Sequence, residues 1–126
     1  MNANKRTILI VDDDKIILEM FAESLESRGF ECLRASGAEE GFSILERVLV
    51  DLILLDVLMP VMDGITMLGE IRKRPEWKEI PVIVLSGLND AGSVARALHS
   101  GASDYVEKSR WNPDDLAIRI QEKFVS

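Results

Sequence analysis

The stretch DLILLDVLMPVMDG, residues 51–64, decides the fold of this chain. Residues 52–55 are four large aliphatics without polar alternation, which is typical of a strand buried on both faces of a parallel sheet. Asp56 follows directly, and Asp63 is placed to cap a helix that begins at Gly64. Because ligands bind at the carboxyl edge of an open α/β sheet, Asp56 is the first candidate functional residue.

Strand and helix patterns alternate along the rest of the chain. Short apolar runs predict four further strands, at residues 8–11, 30–35, 82–85 and 104–106. Apolar residues at helical spacing predict five helices, at residues 15–28, from 36, 64–73, 90–100 and from 113. This alternation requires parallel strands with helices on both faces, hence an α/β, doubly wound, five-stranded parallel sheet. The pattern leaves the strand order open, and the common flavodoxin-like solution is 2-1-3-4-5.

Several residues are expected at helix ends or on buried helix faces. Asp14 and Asn112 are predicted N-caps, residues 36–39 a capping box, and Gly29 and Gly101 helix terminators. Spacing along the first three helices predicts inward-facing side chains at Ile17, Met20, Phe21 and Leu25, at Ile44, Leu45 and Val48, and at Ile65, Leu68 and Ile71.

Composition limits the class of protein. A length of 126 residues predicts one domain, residues 1–126. The net charge of −7 argues against direct binding to nucleic acid or an anionic membrane, and no signal peptide or membrane-span pattern is found. Cys32 is the only cysteine, so no intrachain disulfide can form, and a reducing cytoplasm is the expected compartment.

Polar residues that suit phosphoryl transfer follow four of the predicted strands: Asp12 and Asp13, Asp56, Ser86, and Lys108. If the first and third strands flank the switch point of the sheet, the three carboxylates converge, and convergence raises their pKa values or recruits a cation. Oxygen ligands without histidine or cysteine favour Mg²⁺, with Mn²⁺ as a substitute. With Lys108 and the Ser86 hydroxyl, the set would stabilise a phosphoryl group in transfer to Asp56.

Three other functions use residues of similar type at the edge of such a sheet. A haloacid-dehalogenase-like phosphatase needs a second aspartate two residues after Asp56, where this chain has Leu58. A flavodoxin-like FMN binder needs a phosphate loop after the first strand, where Asp12 and its neighbours would repel phosphate. A docking module without phosphorylation is disfavoured because all the pocket groups are present. The remaining alternative is that the carboxylates have no binding role and only cap the strand ends in solvent.

The motifs LLDVLMPVMDG, PVIVLSG and GASDYVEK, together with the acidic pair after the first strand, resemble the receiver domains of two-component response regulators. The resemblance implies a phosphoacceptor switch, not a conventional enzyme. It implies that the phosphoryl donor is the phosphohistidine of a sensor kinase or phosphotransferase. The output would pass through the face formed by the fourth helix, fifth strand and fifth helix. That face would bind a downstream protein or an attached domain, or would form a dimer. The implied roles are phosphoacceptor for Asp56, metal ligands for Asp12, Asp13 and the Leu58 backbone carbonyl, phosphate contacts for Ser86 and Lys108, and switch aromatic for Tyr105.

The chain departs from the family pattern at several positions. Ser109 stands where the family usually has a proline with a cis bond, so we predict a trans Lys108–Ser109 bond, because a non-proline cis bond costs about 2.5–4 kcal/mol. Ser86 replaces the commoner threonine, and Leu58 and Leu88 are aliphatic where relatives often have polar groups. No output domain is expected after the fifth helix, so the chain is either a stand-alone receiver or a part of a longer regulator.

Overall fold

The computed structural model describes residues 5–57, 59, 62–87 and 91–124. Five strands alternate with five helices in that part of the chain, as the sequence predicts. The strands are β1 (Thr7–Val11), β2 (Glu31–Ala35), β3 (Leu52–Asp56), β4 (Val82–Ser86) and β5 (Asp104–Glu107). The helices are α1 (Lys15–Glu26), α2 (Ala38–Leu45), α3 (Gly64–Lys73), α4 (Ala91–His99) and α5 (Pro113–Lys123).

The strands form one parallel sheet in the order β2-β1-β3-β4-β5, which confirms the predicted topology. The order reverses direction between β1 and β3, where Leu9 lies opposite Ile53 and Val11 opposite Leu55. Loops that follow β1 and β3 therefore leave in opposite directions and open a crevice at the carboxyl edge of the sheet.

The core consists of two apolar layers, one on each face of the sheet. Successive strand residues point to opposite faces, so Leu9 and Ile53 join one layer while Ile8 and Leu52 join the other. Helices α2, α3 and α4 contribute to the first layer, and α1 and α5 contribute to the second. All five residues of β3 are buried, which explains the unbroken aliphatic run in the sequence.

Most of the predicted helix ends are confirmed. Asp14 accepts hydrogen bonds from the backbone N–H groups of residues 16 and 17, Asp63 from that of Thr66, and Asn112 from that of Asp115. Gly29 and Gly101 follow α1 and α4 with φ angles of 93° and 108°, which a side chain would disfavour.

Three details of the helices differ from the sequence prediction. Met20 and Val48 were expected to face inward, but they are 47% and 38% exposed. The buried arc of α1 uses Leu18 instead, because a helix packed on a sheet covers only a narrow stripe and the neighbouring apolar residues compete for it. The expected capping box is also wrong: Gly37 is the N-cap of α2, and the carboxylate of Glu40 accepts a 2.6 Å hydrogen bond from the Ser36 N–H.

Arg72, near the end of α3, holds three backbone carbonyls in two different loops. Its Nε donates to the Gly101 carbonyl at 2.9 Å, and its Nη1 donates to the carbonyls of Lys78 and Ile80 at 3.1 and 2.7 Å. A Cβ at Gly101 would lie 2.8 Å from the Arg72 side chain. The turn after α4 is thus fixed to the loop between α3 and β4.

The remaining residues singled out in the sequence have structural positions. Cys32 is buried on β2, and burial raises the pKa of its thiol to about 12. Trp77 is buried and Trp111 packs against the layer of α1 and α5, whereas His99 is exposed on α4. Among the described residues, no helix has the length and apolar character needed to cross a membrane.

Candidate functional site

The predicted polar residues meet at the carboxyl edge of the sheet. Asp56 and Ser86 are the last residues of β3 and β4, while Asp12 and Lys108 immediately follow β1 and β5. Asp12, Asp56 and Ser86 are the buried polar residues of the described chain, and each is at most 4% exposed. Burial of two carboxylates side by side is costly unless cations approach them. Burial of Asp12, Asp56 and Ser86 therefore favours a binding site over solvated strand ends for these three residues.

Asp12 is held on three sides. Its N–H donates to the Ala35 carbonyl at 3.0 Å, which continues the pairing of β1 with β2. Its Oδ1 accepts a 2.9 Å hydrogen bond from the Asp14 N–H. Its Oδ2 lies 2.8 Å from Lys108 Nζ, so this oxygen is paired with the ammonium group. Both oxygens of this buried carboxylate are thus held in place by their neighbours.

Lys108 bridges the two buried carboxylates. Its Nζ lies 2.8 Å from Asp12 Oδ2 and 3.1 Å from Asp56 Oδ1, and its side chain is 19% exposed. Burial alone would lower the pKa of Lys108, but Asp12 and Asp56 outweigh it, and the net pKa shift is upward. The ammonium group therefore stays charged beside Asp56, where it can approach an incoming anion.

Asp56 ionises less readily than an ordinary aspartate, because its pKa is raised. Burial raises the pKa of Asp56 to about 6, and the neighbouring charge of Asp12 adds to the increase, with a smaller contribution from Asp13. Lys108 opposes this shift without cancelling it. Negative charge is thus in excess at the pocket, which a further cation would relieve.

The carboxylates fit a divalent metal ion. One oxygen from each of Asp12, Asp13 and Asp56 lies within 4.8 Å of the others. Asp13 is exposed while the other two are buried, so the set opens toward solvent on one side. Oxygen-only ligands and an open side are the preferred environment of Mg²⁺, which retains several of its waters.

Gly64 brings the start of α3 against Asp56. Its N–H donates to the Val57 carbonyl at 2.9 Å, and a Cβ at this position would lie only 2.1 Å from the Asp56 carbonyl oxygen. This close approach of two backbones is a role that the sequence analysis did not assign to Gly64. Its place directly after a helix-capping aspartate was the available signal.

The structure gives the positions of some, but not all, of the other residues predicted from the sequence. Ser86 is fully buried, and Tyr105 on β5 is partly buried against the layer of α2, α3 and α4. The predicted trans Lys108–Ser109 bond is confirmed, since no described peptide bond is cis. The assignments to Leu58 and Leu88 fall outside the described residues.

Glu107 is a second residue whose contacts sequence reasoning did not predict. Its carboxylate accepts a 2.9 Å hydrogen bond from Ser109 Oγ and lies 3.4 Å from Arg110 Nε. Its position directly before Lys108 was the only signal in the sequence, and it does not distinguish a structural glutamate from a solvated one.

Comparison with known proteins assigns this chain to a family. The profile of the response regulator receiver domain family matches residues 8–121, and the chain belongs to this family. Receiver domains are signalling switches that accept phosphoryl groups and are not classical enzymes, and the family binds Mg²⁺ in an acidic pocket.

Three relatives illustrate the match. The phosphate regulon transcriptional regulatory protein PhoB of Pseudomonas aeruginosa is 34% identical over 116 residues, which cover 92% of this chain and 50% of PhoB. An uncharacterised 14.6 kDa protein of Leptolyngbya boryana is 38% identical over 115 residues, 91% of this chain and 87% of that protein. The crystal structure of a CheY-like receiver domain protein from Methanospirillum hungatei has a TM-score of 0.86 at 33% identity and covers 95% of this chain and 94% of its own. The chain spans about half the length of the transcriptional regulators that it matches.

Proposed function

We propose that this chain is a phosphorylation-dependent switch in which Asp56 accepts a phosphoryl group from the phosphohistidine of a sensor kinase or a histidine phosphotransferase. The observation that carries the proposal is the meeting of Asp12, Asp13 and Asp56 with the Lys108 ammonium at one edge of the sheet. Residues 1–126 would act as one receiver domain, and the expected compartment is the cytoplasm.

The transfer requires positioning more than covalent chemistry. A carboxylate oxygen of Asp56 attacks phosphorus while the phosphorus–nitrogen bond to the donor imidazole breaks, and an acyl phosphate forms on Asp56. Lys108 Nζ, now 3.1 Å from Asp56 Oδ1, is placed to pair with a phosphoryl oxygen. The Ser86 hydroxyl, at the end of the neighbouring strand, would donate to another.

Asp12, Asp13 and Asp56 would hold Mg²⁺, with the Leu58 carbonyl as the ligand that the family pattern adds. The ion would neutralise charge that develops on the transferring group. The protein's own contribution is to keep Asp12 fixed through the Asp14 N–H and to keep Lys108 charged. Mn²⁺ would bind the same oxygen ligands.

Intact-mass spectrometry with a small phosphodonor tests the proposal. The wild type should gain one phosphoryl group in the presence of Mg²⁺ or Mn²⁺ and none in EDTA. Asp56→Ala should gain none, whereas Asp115→Ala, which removes an exposed carboxylate on α5, should behave as the wild type. Equal incorporation by wild type and Asp56→Ala would refute the assignment.

The output of the switch would be the face formed by α4, β5 and α5. In the proposal, phosphorylation draws Ser86 inward and Tyr105 turns into the space that it leaves. Tyr105, Val94 and Trp111 line a cavity of about 280 Å³ at this face, so a change of the tyrosine rotamer would alter the surface there. NMR shifts on adding beryllofluoride should extend through residues 90–120, and shifts confined to the pocket would contradict this mechanism.

The partner of this face would be a downstream protein, an attached output domain or a second copy of the chain. Transcriptional regulators among the relatives favour an attached domain as the first possibility to test. The net charge of −7 makes the receiver itself an unsuitable DNA-binding surface.

A further inference from the structure

The backbone that carries Lys108 turns sharply where β5 ends. Residues Lys108–Arg110 form a single 3₁₀ turn between β5 and the approach to α5. A single turn of this kind has few internal hydrogen bonds, and its side-chain contacts therefore matter for its geometry. Lys108, the first residue of the turn, is the one that must reach both Asp12 and Asp56.

One carboxylate holds the two residues that follow Lys108. Glu107 Oε1 accepts a 2.9 Å hydrogen bond from Ser109 Oγ, and Glu107 Oε2 lies 3.4 Å from Arg110 Nε. Glu107, the last residue of β5, thus contacts the side chains of the two residues that follow Lys108 in the turn. We call these three residues the Glu107 bridge.

The two contacts of the bridge differ in strength. The Arg110 side chain is 78% exposed, so its ion pair contributes little. The Glu107 side chain is only 19% exposed, and its 2.9 Å hydrogen bond from the exposed Ser109 hydroxyl is charge-assisted, which strengthens it relative to a neutral hydrogen bond. The hydrogen bond to Ser109 is therefore the stronger of the two contacts that Glu107 makes with the turn.

Pairing of β5 with β4 holds the backbone of Glu107 in place. Glu107 pairs in register with Ser86 on β4, so the bridge begins beside another residue of the proposed pocket. On the outer side, Glu107 and Arg110 line the cavity that also contains Tyr105. The bridge thus spans from the phosphoryl site to the proposed output face.

We infer that Glu107 is a positioning residue, which holds Lys108 against the carboxylates through its hydrogen bond to Ser109. The inference rests on the proposed function, because holding the Lys108 ammonium group in place is useful if that group contacts the phosphoryl group on Asp56. A lysine on an unfixed turn loses part of the advantage of preorganisation.

The experiment combines a measurement on the unphosphorylated protein with a binding measurement. With ¹³C-labelled lysine, assigned by comparison with Lys108→Arg, NMR reports the order parameter of the Lys108 Cε group. Fluorine NMR reports the affinity for beryllofluoride in the presence of Mg²⁺. Both are measured where urea titration shows that each variant is fully folded.

Glu107→Ala and Ser109→Ala should lower the order parameter of Lys108 and weaken beryllofluoride binding by about three- to tenfold, the effect of one hydrogen bond. Glu107→Gln keeps an acceptor for Ser109 Oγ and should retain both values. Arg110→Ala is the matched control and should also retain them.

Unchanged order parameter and affinity in Glu107→Ala, even with a lower urea midpoint, would overturn the inference, because the residue would then be merely structural. Equal losses in Arg110→Ala and Ser109→Ala would overturn the assignment to the hydrogen bond. A wild type that neither binds beryllofluoride nor accepts a phosphoryl group would refute the proposed function instead. The order parameter would still decide the role of Glu107.

Discussion

Replacing Asp56 by asparagine should stabilise the metal-free protein at neutral pH. Burial, followed by the charge of Asp12, raises the pKa of Asp56 from its ordinary value of 3.8 to about 6. Each tenfold change in proton affinity corresponds to about 1.4 kcal/mol, so ionising Asp56 in the folded state costs about 3 kcal/mol at pH 7.5. Asparagine has a similar shape and carries no charge, and it should recover most of this free energy.

The stability gained by Asp56→Asn should increase with pH. The folded state binds the Asp56 proton more tightly than the unfolded chain does, so this residue favours folding at low pH and the advantage is lost as the pH rises toward about 6. The stability difference between Asp56→Asn and wild type should therefore be less than about 1 kcal/mol at pH 4 and reach about 3 kcal/mol above pH 7.

Urea unfolding in EDTA at several pH values measures this difference. Asp115→Asn, which removes an exposed carboxylate from the first turn of α5, is the control and should change stability by less than about 1 kcal/mol. Millimolar Mg²⁺ should reduce the advantage of Asp56→Asn, because the ion neutralises the wild-type pocket. If the variant is no more stable than wild type at pH 7.5 in EDTA, the electrostatic account of the site is wrong.

Two further predictions concern Leu58 and Leu88, which the family resemblance associates with the acceptor site, and Gly64, which contacts the Asp56 backbone. Leu58 and Leu88 offer no hydrogen bond to a water that would attack the phosphoryl group, so phosphorylated Asp56 should be long-lived, and Leu58→Asn or Leu88→Glu should speed its decay after donor removal. Unchanged decay in both variants would exclude this role. Gly64→Ala should destabilise the protein by about 2–4 kcal/mol in urea unfolding, because its Cβ would overlap the Asp56 carbonyl. Gly69→Ala, in open space on α3, should be neutral or stabilising, and a similar loss there would contradict the steric explanation.

The strands and the polar pocket were predictable because their signals are local. An unbroken aliphatic run such as residues 52–55, bounded by polar and turn residues, is typical of a strand covered on both faces, and the residue that ends such a strand lies at the sheet edge. Once the strands are parallel, Asp12 and Asp56 meet wherever β1 and β3 are neighbours. Convergence of the carboxylates thus follows from topology without knowledge of side-chain packing.

The unpredicted features depend on contacts between separate segments. Periodicity along α1 could not decide between Leu18 and Met20, because the sheet selects the buried stripe. The contact of Lys108 with both carboxylates and the bridge from Glu107 to Ser109 require the tertiary positions of loops. Sequence spacing identifies the candidate residues, but it does not specify which atoms meet.

The three carbonyls held by Arg72 determine how α4 can move. The C-terminal end of this helix is attached through the Gly101 carbonyl to the same side chain that fixes residues 78 and 80. A motion that preserves these hydrogen bonds is a rotation of α4 about Gly101. The nine residues of α4 span roughly 13 Å, so a rotation of about 10° would displace its first turn by roughly 2 Å and leave its last turn almost stationary. Displacement would therefore be greatest at the end of α4 that follows Ser86 in the chain.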